Sequence, residues 1–466
     1  MKKYGILIIG AGAAGFAAAL RVADFGVKIG IVNDGPLGGT CVNVGCVPSK
    51  FLIEISNKLF YSLNNNIDGL KFIINKFDFE KIISQKNKLV KKLRTEKYEK
   101  VLQEIDNTDF FEGRAKFINP HAIQVNDEVL YGDKIIIATG ASPRILNVPG
   151  VDDIDILDNV KAMNLTKLPN SILIVGGRAQ ALEFAQMFRH FGSDVTIVQR
   201  SKRILPDAEP EISIKLKDYL EREGIRILTG SIPTKFEQRG DSIEVTIKQD
   251  EEIKKINVEK VLMATGRVPN TRFLGLENIG IELRADGSIK VNNQMETNIP
   301  YIFAAGDVKG KPMLETVAAR EGFIAATNAL SSDKLKIDYS IIPHAVFTTP
   351  QVASVGYTDK IANELGFTCR CSTVKFRHIP KALILFDERG LIKIVIDAKT
   401  ERILGVHILS KNAADIIMEG VLAVKYNLTL DDIIETTHVF PTLSEALKIG
   451  ALSFKRDIDK LSCCTV

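Results

Sequence analysis

The chain of 466 residues has no run of eighteen or more apolar residues, so no helix is expected to span a membrane. Charge of one sign is also lacking, since the formal net charge is only +4. The two lysine-rich stretches, 86–100 and 254–260, are mixed with acids and read as solvated faces, which argues against a nucleic-acid partner. There is no low-complexity segment. Met1-Lys2-Lys3-Tyr4 runs directly into a strand-and-glycine motif, so no cleaved leader is expected and the default location is cytoplasmic. Cysteine is scarce, with six residues: Cys41, Cys46, Cys369, Cys371, Cys463 and Cys464. In a large cytosolic chain, so few thiols are expected to be catalytic or metal-binding rather than structural. A hydrophobic content of 45% leaves ample core for two to four domains.

What is present begins with nucleotide chemistry. Tyr4–Gly10 reads as an apolar strand ending in Gly10-Ala11-Gly12-Ala13-Ala14-Gly15, followed by a helix through Phe25 and a second strand over Val27–Val32. Glycines at this strand-to-helix turn let the backbone approach a pyrophosphate seated on the helix N-terminus. The acid expected at the end of the second strand, for a ribose hydroxyl, is replaced by Asn33 with Asp34 next to it, and either can serve.

Gly38-Gly39-Thr40-Cys41-Val42-Asn43-Val44-Gly45-Cys46-Val47-Pro48-Ser49-Lys50 follows. Pro48 sits at the start of a helix read over Val47–Leu63, and a helix N-terminus lowers the pKa of a nearby thiol. Alone, the motif also fits a buried pair or a stabilising disulfide. Beyond a long charged helix over Phe79–Ile105, a strand ending in Ala138-Thr139-Gly140 brings the chain back to the nucleotide site.

A second unit then begins. Ser171–Val175 is a strand, Gly176–Phe191 a turn and helix, and Asp194–Val198 a strand. The turn reads Gly176-Gly177-Arg178-Ala179-Gln180-Ala181, so Arg178 stands at the second glycine's place and must turn its side chain outward to leave room for a phosphate. After the second strand come Arg200 and Arg203 and no acid, which suits a 2′-phosphate and hence NADPH, or else is a solvated loop. Ala264-Thr265-Gly266 is a second return. Thr297–Asp307 reads as an apolar strand whose terminal Asp307 can meet a ribitol or ribose, with a helix over Leu314–Leu330 behind it. From about Ser340 the pattern becomes α+β without a nucleotide motif. There Cys369 and Cys371 share one face of a strand, where packing is the favoured reading and a secondary thiol site the alternative.

With Phe347-Thr348-Thr349-Pro350-Gln351, these motifs in this order resemble the two-dinucleotide flavoprotein disulfide reductases from Gly10 to Cys464. The resemblance implies an α/β chain with two Rossmann-like dinucleotide-binding domains and a C-terminal α+β dimerisation domain. The FAD-binding domain would take residues 1–147 and 271–338, the NADPH-binding domain would be inserted at 148–270, and the dimerisation domain would take 339–466. The expected assembly is a homodimer whose active sites are completed across the interface. FAD would lie on Gly10, Gly12, Ala14, Gly15, Asn33 or Asp34, Gly39, Thr40, Ala138, Thr139, Gly140 and Asp307. NADPH would lie on Gly176, Gly177, Arg178, Arg200, Arg203 and Gly266. Lys50 and Glu183 would form the family's ion pair beside the flavin. By the same resemblance, Cys46 lies against the flavin ring and Cys41 faces the substrate.

Two departures select a branch of the family. Disulfide-reducing members carry a His-Pro pair near the C-terminus, with a glutamate five residues after the histidine. Here Glu445 is kept but Phe440 takes the histidine's place, and a phenyl ring cannot carry a proton, a loss of roughly 10²–10⁴ in such exchange. His438, two residues earlier, is the nearest substitute. Cys463-Cys464 is a vicinal thiol pair, suited to passing a soft two-coordinate metal from one pair to another. Both features resemble the mercuric reductase branch, implying Hg(II) as substrate, bound in turn by Cys463, Cys464, Cys41 and Cys46 and delivered by small-molecule thiols. No N-terminal metal-binding domain is expected. The alternatives are a dihydrolipoamide dehydrogenase-like disulfide reductase and, in another class, a thiol-rich soft-metal-binding protein.

Overall fold

Apolar runs without polar alternation make the central strands, and these bury both faces as parallel sheets do. The computed structural model describes residues 2–65, 67–74 and 76–460. In the first sheet, Lys2–Ile9 runs parallel between Ile29–Asn33 and Glu128–Ile137, with Ile6 opposite Ile29 on one side and Lys134 on the other. Ile6, Leu7 and Ile8 have no exposed surface. Ile302–Ala304 pairs parallel to the far side of Glu128–Ile137, so the chain leaves this sheet and returns to it much later.

The second sheet fills that excursion. Ser171–Val175 lies between Asp194–Gln199 and Lys260–Met263, all parallel, and a three-stranded antiparallel meander over residues 231–258 lies against it. The two connections between the sheets pair with each other as an antiparallel ribbon, Ala141–Pro143 against Arg267–Pro269.

The C-terminal sheet is antiparallel, in the order His344–Val346, Gln351–Gly356, Ile403–Ser410, Leu391–Asp397, Cys369–Lys375. One face packs Ile392, Ile394 and Val406 against Ile417 and Leu447 of two helices. The opposite face meets the inserted unit, with Val352, Leu391 and Leu409 in one apolar cluster with Leu216 and Leu220. There the buried Lys393 ammonium lies 2.9 Å from Glu209 Oε2 and 2.9 Å from Asp359 Oδ2. Burial works against the Lys393 charge, but these acids outweigh it and raise its pKa, while burial raises that of Glu209. A buried cation with its partners in place locks the two units together, whereas either partner alone would be costly to bury.

The structure corrects several boundaries. The thiol helix begins at Cys46 rather than Val47, so Pro48 is its third residue, a position whose N–H has no intrahelical partner in any case. The charged helix runs as an α-helix over Phe79–Arg94, passes through a π-turn over Thr95–Glu99, and ends at Gln103. The expected strand over Thr297–Asp307 shrinks to Ile302–Ala304, because Thr297 Oγ1 takes the Ile299 N–H and closes a turn. Cys369 and Cys371 are half-buried and exposed, outside every hydrophobic cluster, so packing does not account for them. Among the described residues no helix is long and apolar enough to cross a membrane. Cys463 and Cys464 lie outside the described residues.

Candidate active site

The strand Lys2–Ile9 and the helix Ala13–Ala23 meet at a turn that only glycine permits. Gly10 has φ +109°, and a Cβ there would sit 2.3 Å from the Ala138 carbonyl oxygen. Gly39 has φ +60°, and a Cβ there would lie 2.7 Å from Gly12 Cα, so the two glycine turns touch backbone to backbone. Gly15 packs the helix against the end of the strand, since a Cβ there would meet Gly10 O at 1.8 Å. Gly12 caps the helix without a side-chain bond, and no acid occupies its first turn, which leaves the positive end of the helix facing a cavity.

That cavity, about 430 Å³, gathers most of the expected residues of the first nucleotide site. Gly10, Gly12, Ala14, Asn33, Asp34, Gly39, Thr40, Ala138, Thr139, Gly140 and Asp307 line it, together with Cys41 and Cys46. Asn33 and Asp34 divide the position expected to carry one acid. Asn33 Oδ1 accepts the Ala11 N–H at 2.9 Å and so braces the glycine turn, while Asp34 pairs with Arg114 at 2.5 Å.

Arg267 was not among the expected site residues. It follows the second Ala-Thr-Gly return, and the pairing of the two connecting strands carries it into the cavity wall, where its Nε is buried with no hydrogen-bond partner among the described residues. Asp307 Oδ2 is 3.7 Å away. Burial raises the Asp307 carboxyl and lowers the Arg267 guanidinium, each partly offset by the other. An unpartnered buried donor, a carboxylate and a helix N-terminus around one elongated cavity fit a dinucleotide with a pyrophosphate and a polyol.

The thiols stand at the mouth of two consecutive helices. Cys41 is in the first turn of Gly39–Val44, and Cys46 is the first residue of Cys46–Leu63. Both thiols are free. A hydrogen bond from the Cys41 thiol lowers the Cys46 pKa to about 7, with Lys50 acting in the same direction and burial against it. The same bond, with burial, holds the Cys41 thiol well above its ordinary range. The pair is therefore asymmetric, with Cys46 the more readily ionised of the two thiols. In the reduced protein, alkylation of Cys46 by iodoacetamide is expected to rise about tenfold per pH unit up to pH 7 and then level, with Cys41 lagging throughout. Peptide mass spectrometry after timed quenching checks this, and equal rates at the two cysteines would refute the asymmetry.

Lys50 lies one turn into the thiol helix, and its Nζ is 2.7 Å from Glu183 Oε2. Glu183 belongs to the helix Ala179–Phe191 of the inserted unit, and its other oxygen accepts the Phe347 N–H at 2.9 Å. Two turns further along the same helix, His190 Nδ1 meets Asn57 Oδ1 at 2.8 Å and its Nε2 meets Glu223 at 3.1 Å. These contacts fasten the thiol helix to the inserted unit and to the Phe-Thr-x-Pro-Gln segment.

The second glycine turn stands apart from this cavity, at the ends of the second sheet. Arg178 turns its side chain to Asp207, which settles how an arginine is accommodated there. Gly177 O accepts the Leu205 N–H at 2.8 Å, folding the basic loop back over the turn. On that loop Arg200 is exposed, while Arg203 is half-buried and donates to the Pro206 carbonyl. Gly266 (φ +103°) turns the connecting ribbon.

Phe440 is exposed, next to Pro441. His438 is bound within its own subunit, with Nε2 2.7 Å from Glu419 Oε1, and this bond raises its pKa. Glu445 accepts the Thr442 N–H at 3.1 Å.

Residues 4–322 match the family described as pyridine nucleotide-disulphide oxidoreductase, and residues 342–450 match the dimerisation domain of that family. A mercuric reductase of Lysinibacillus sphaericus is 39% identical over 464 residues, covering 99% of this chain and 84% of that one. A dihydrolipoyl dehydrogenase of Thermus scotoductus is 35% identical over 454 residues, covering 97% of each chain. The solved structure of the HOCl-induced flavoprotein disulfide reductase RclA from Escherichia coli superposes with a TM-score of 0.87 at 29% identity, covering 97% of this chain and all of that one.

Proposed function

The chain belongs to the pyridine nucleotide-disulphide oxidoreductase family, which binds FAD and draws electrons from a nicotinamide nucleotide, and from that premise we propose that it reduces Hg(II) to Hg(0) with NADPH. The observation that carries the proposal is an intact thiol pair at the starts of two helices together with an exposed phenylalanine where disulfide exchange needs a proton carrier. The overall balance is NADPH plus Hg(II) giving NADP⁺, one proton and Hg(0).

FAD, held by Gly10, Gly12, Asn33 or Asp34, Arg267 and Asp307, supplies the two-electron relay from the nicotinamide to the thiol site. Gly176, Gly177 and the backbone of Arg178 hold the NADPH phosphates, and Arg200 and Arg203 the 2′-phosphate. Hg(II) arrives as a bis-thiol complex and passes through Cys463 and Cys464 of the partner subunit to Cys41 and Cys46. At each exchange one Hg–S bond forms as another breaks, and the proton of the incoming thiol goes to the departing one, so no acid–base histidine is required. Lys50, fixed by Glu183, keeps positive charge beside Cys46 and favours its thiolate. The domain limits proposed are those of the sequence reading: the NADPH-binding unit at 148–270 within the FAD-binding unit, and the dimerisation unit from 339.

A second reading, a disulfide reductase, draws support from the His438–Glu419 pair, which is a proton carrier with an orienting carboxylate close to the lost position. NADPH oxidation measured with Hg(II) in excess thiol, and separately with lipoamide, separates the two. Mercury-dependent turnover with negligible lipoamide turnover is expected. The reverse result would overturn the proposal in favour of the second reading.

A further inference from the structure

We propose that Cys369 and Cys371 form a second soft-cation site, a Cys-x-Cys clamp on the outer strand of the C-terminal sheet that takes one two-coordinate thiophilic ion. Among the described residues the strand Cys369–Lys375 pairs only with Leu391–Asp397, at the edge of the sheet. Its register sets Cys369 opposite Asp397, Cys371 opposite Val395 and Thr373 opposite Lys393, so both sulfurs leave the face that carries Lys393. The alternate residues Ser372 and Val374 are opposite Ile394 and Ile392, on the side of the hydrophobic core. Neither cysteine packs in a core cluster, and Cys371 is exposed.

The spacing decides what such a pair can hold. Two residues along a strand separate same-face Cβ atoms by about 6.6 Å. A disulfide needs them at roughly 3.5–4.5 Å, so this pair does not close on itself while the strand keeps its pairing. An ion held between two thiolates needs sulfurs about 4.6 Å apart, twice a metal–sulfur bond of ~2.3 Å. Each sulfur stands one bond beyond its Cβ and reaches that separation by leaning inward. The strand thus rejects the disulfide and accepts the ion.

The surroundings agree with this role. Cys369 Sγ is 3.7 Å from the Asp359 carbonyl oxygen, an acceptor that orients the thiol. A protonated thiol resists oxidation and alkylation, yet a soft cation displaces the proton because the metal–thiolate bond is far stronger. Loading from a bis-thiol complex breaks two metal–sulfur bonds and forms two, and the protons of Cys369 and Cys371 leave on the released carrier thiols, with no change of oxidation state. The site does not depend on the mercury reading of Cys41 and Cys46, since a disulfide reductase with this strand would bind the ion equally.

The test counts ions without turnover. Holoenzyme without NADPH is loaded with Hg(II) as its bis-cysteine complex, desalted into cysteine, and weighed by native mass spectrometry. The wild-type chain is expected to retain one more Hg(II) than the chain carrying Cys369→Ser and Cys371→Ser, with NADPH-dependent turnover of the two alike. In a full chain with alanine at 41, 46, 463 and 464, one Hg(II) per chain and two titratable thiols that disappear on loading are expected. Equal retention by the wild-type and serine chains overturns the proposal, as does a Cys369–Cys371 disulfide in the metal-free protein. Because no reduction is involved, loss of mercury turnover would bear on the proposed activity and leave this count unaffected.

Discussion

Cys46→Ser is expected to lower steady-state NADPH oxidation on the order of 10³-fold or more with any oxidised substrate, while the protein stays folded and yellow. Serine keeps the size and the helix-terminal position but removes the chemistry. A hydroxyl in place of a thiol of pKa about 7 is un-ionised at neutral pH and has no affinity for a soft ion. Cys41→Ala is expected to cost as much in turnover, because the pair acts as a unit, and it adds a second signature. The hydrogen bond from Cys41 is the leading cause of the depressed Cys46 pKa, so its removal should move the alkylation profile of Cys46 upward toward the ordinary thiol range. Absorbance at the NADPH band and timed alkylation give both readings. Retention of more than a tenth of the activity in either variant would show that electrons reach the substrate without this pair.

The parts of the fold that sequence alone makes legible are those specified within a few residues. Ser171–Val175 was readable to the residue because the apolar run Ile172–Val175 is bounded by Asn170-Ser171 and Gly176. The glycine turns were readable because Gly10 and Gly39 answer backbone requirements that no other residue meets. Arg267 was missed for the opposite reason. An arginine after a turn reads as surface charge, and its burial arises only when Ala141–Pro143 and Arg267–Pro269 pair across the chain. The Lys393–Glu209 contact likewise joins residues that no local pattern connects. The resemblance supplied the pairing of Lys50 with Glu183, and the structure brings the two side chains into contact. The Cys369–Cys371 pair was assigned to packing because alternation tells which residues share a face, but not whether that face is covered.

Replacing Cys463 and Cys464 by alanine is expected to lower kcat/KM for thiol-bound Hg(II) by about 10²-fold and to leave kcat at saturating metal nearly unchanged. The argument is one of tethering. These residues follow Lys460 by three and four positions, and a fully extended chain advances at most ~3.3–3.6 Å per residue, so the pair is confined within roughly 15 Å of that point. Under the proposed function the tail reaches the thiol site of the partner subunit, and a short tether that spans this gap gives an effective concentration in the millimolar range, with avidity gains of about 10²–10⁴ over a dilute mercury complex. The thiol pair is therefore expected to raise capture at low substrate without touching the two-electron step, which the proposed function gives to Cys41 and Cys46. Stopped-flow reduction of the bound flavin by NADPH should be unaltered in the double variant, and lipoamide turnover, if any, should be unaltered too. A parallel fall in flavin reduction would assign the tail a structural role. An unchanged kcat/KM for thiol-bound mercury would remove Cys463 and Cys464 from the path and leave Cys41 and Cys46 to collect the metal directly.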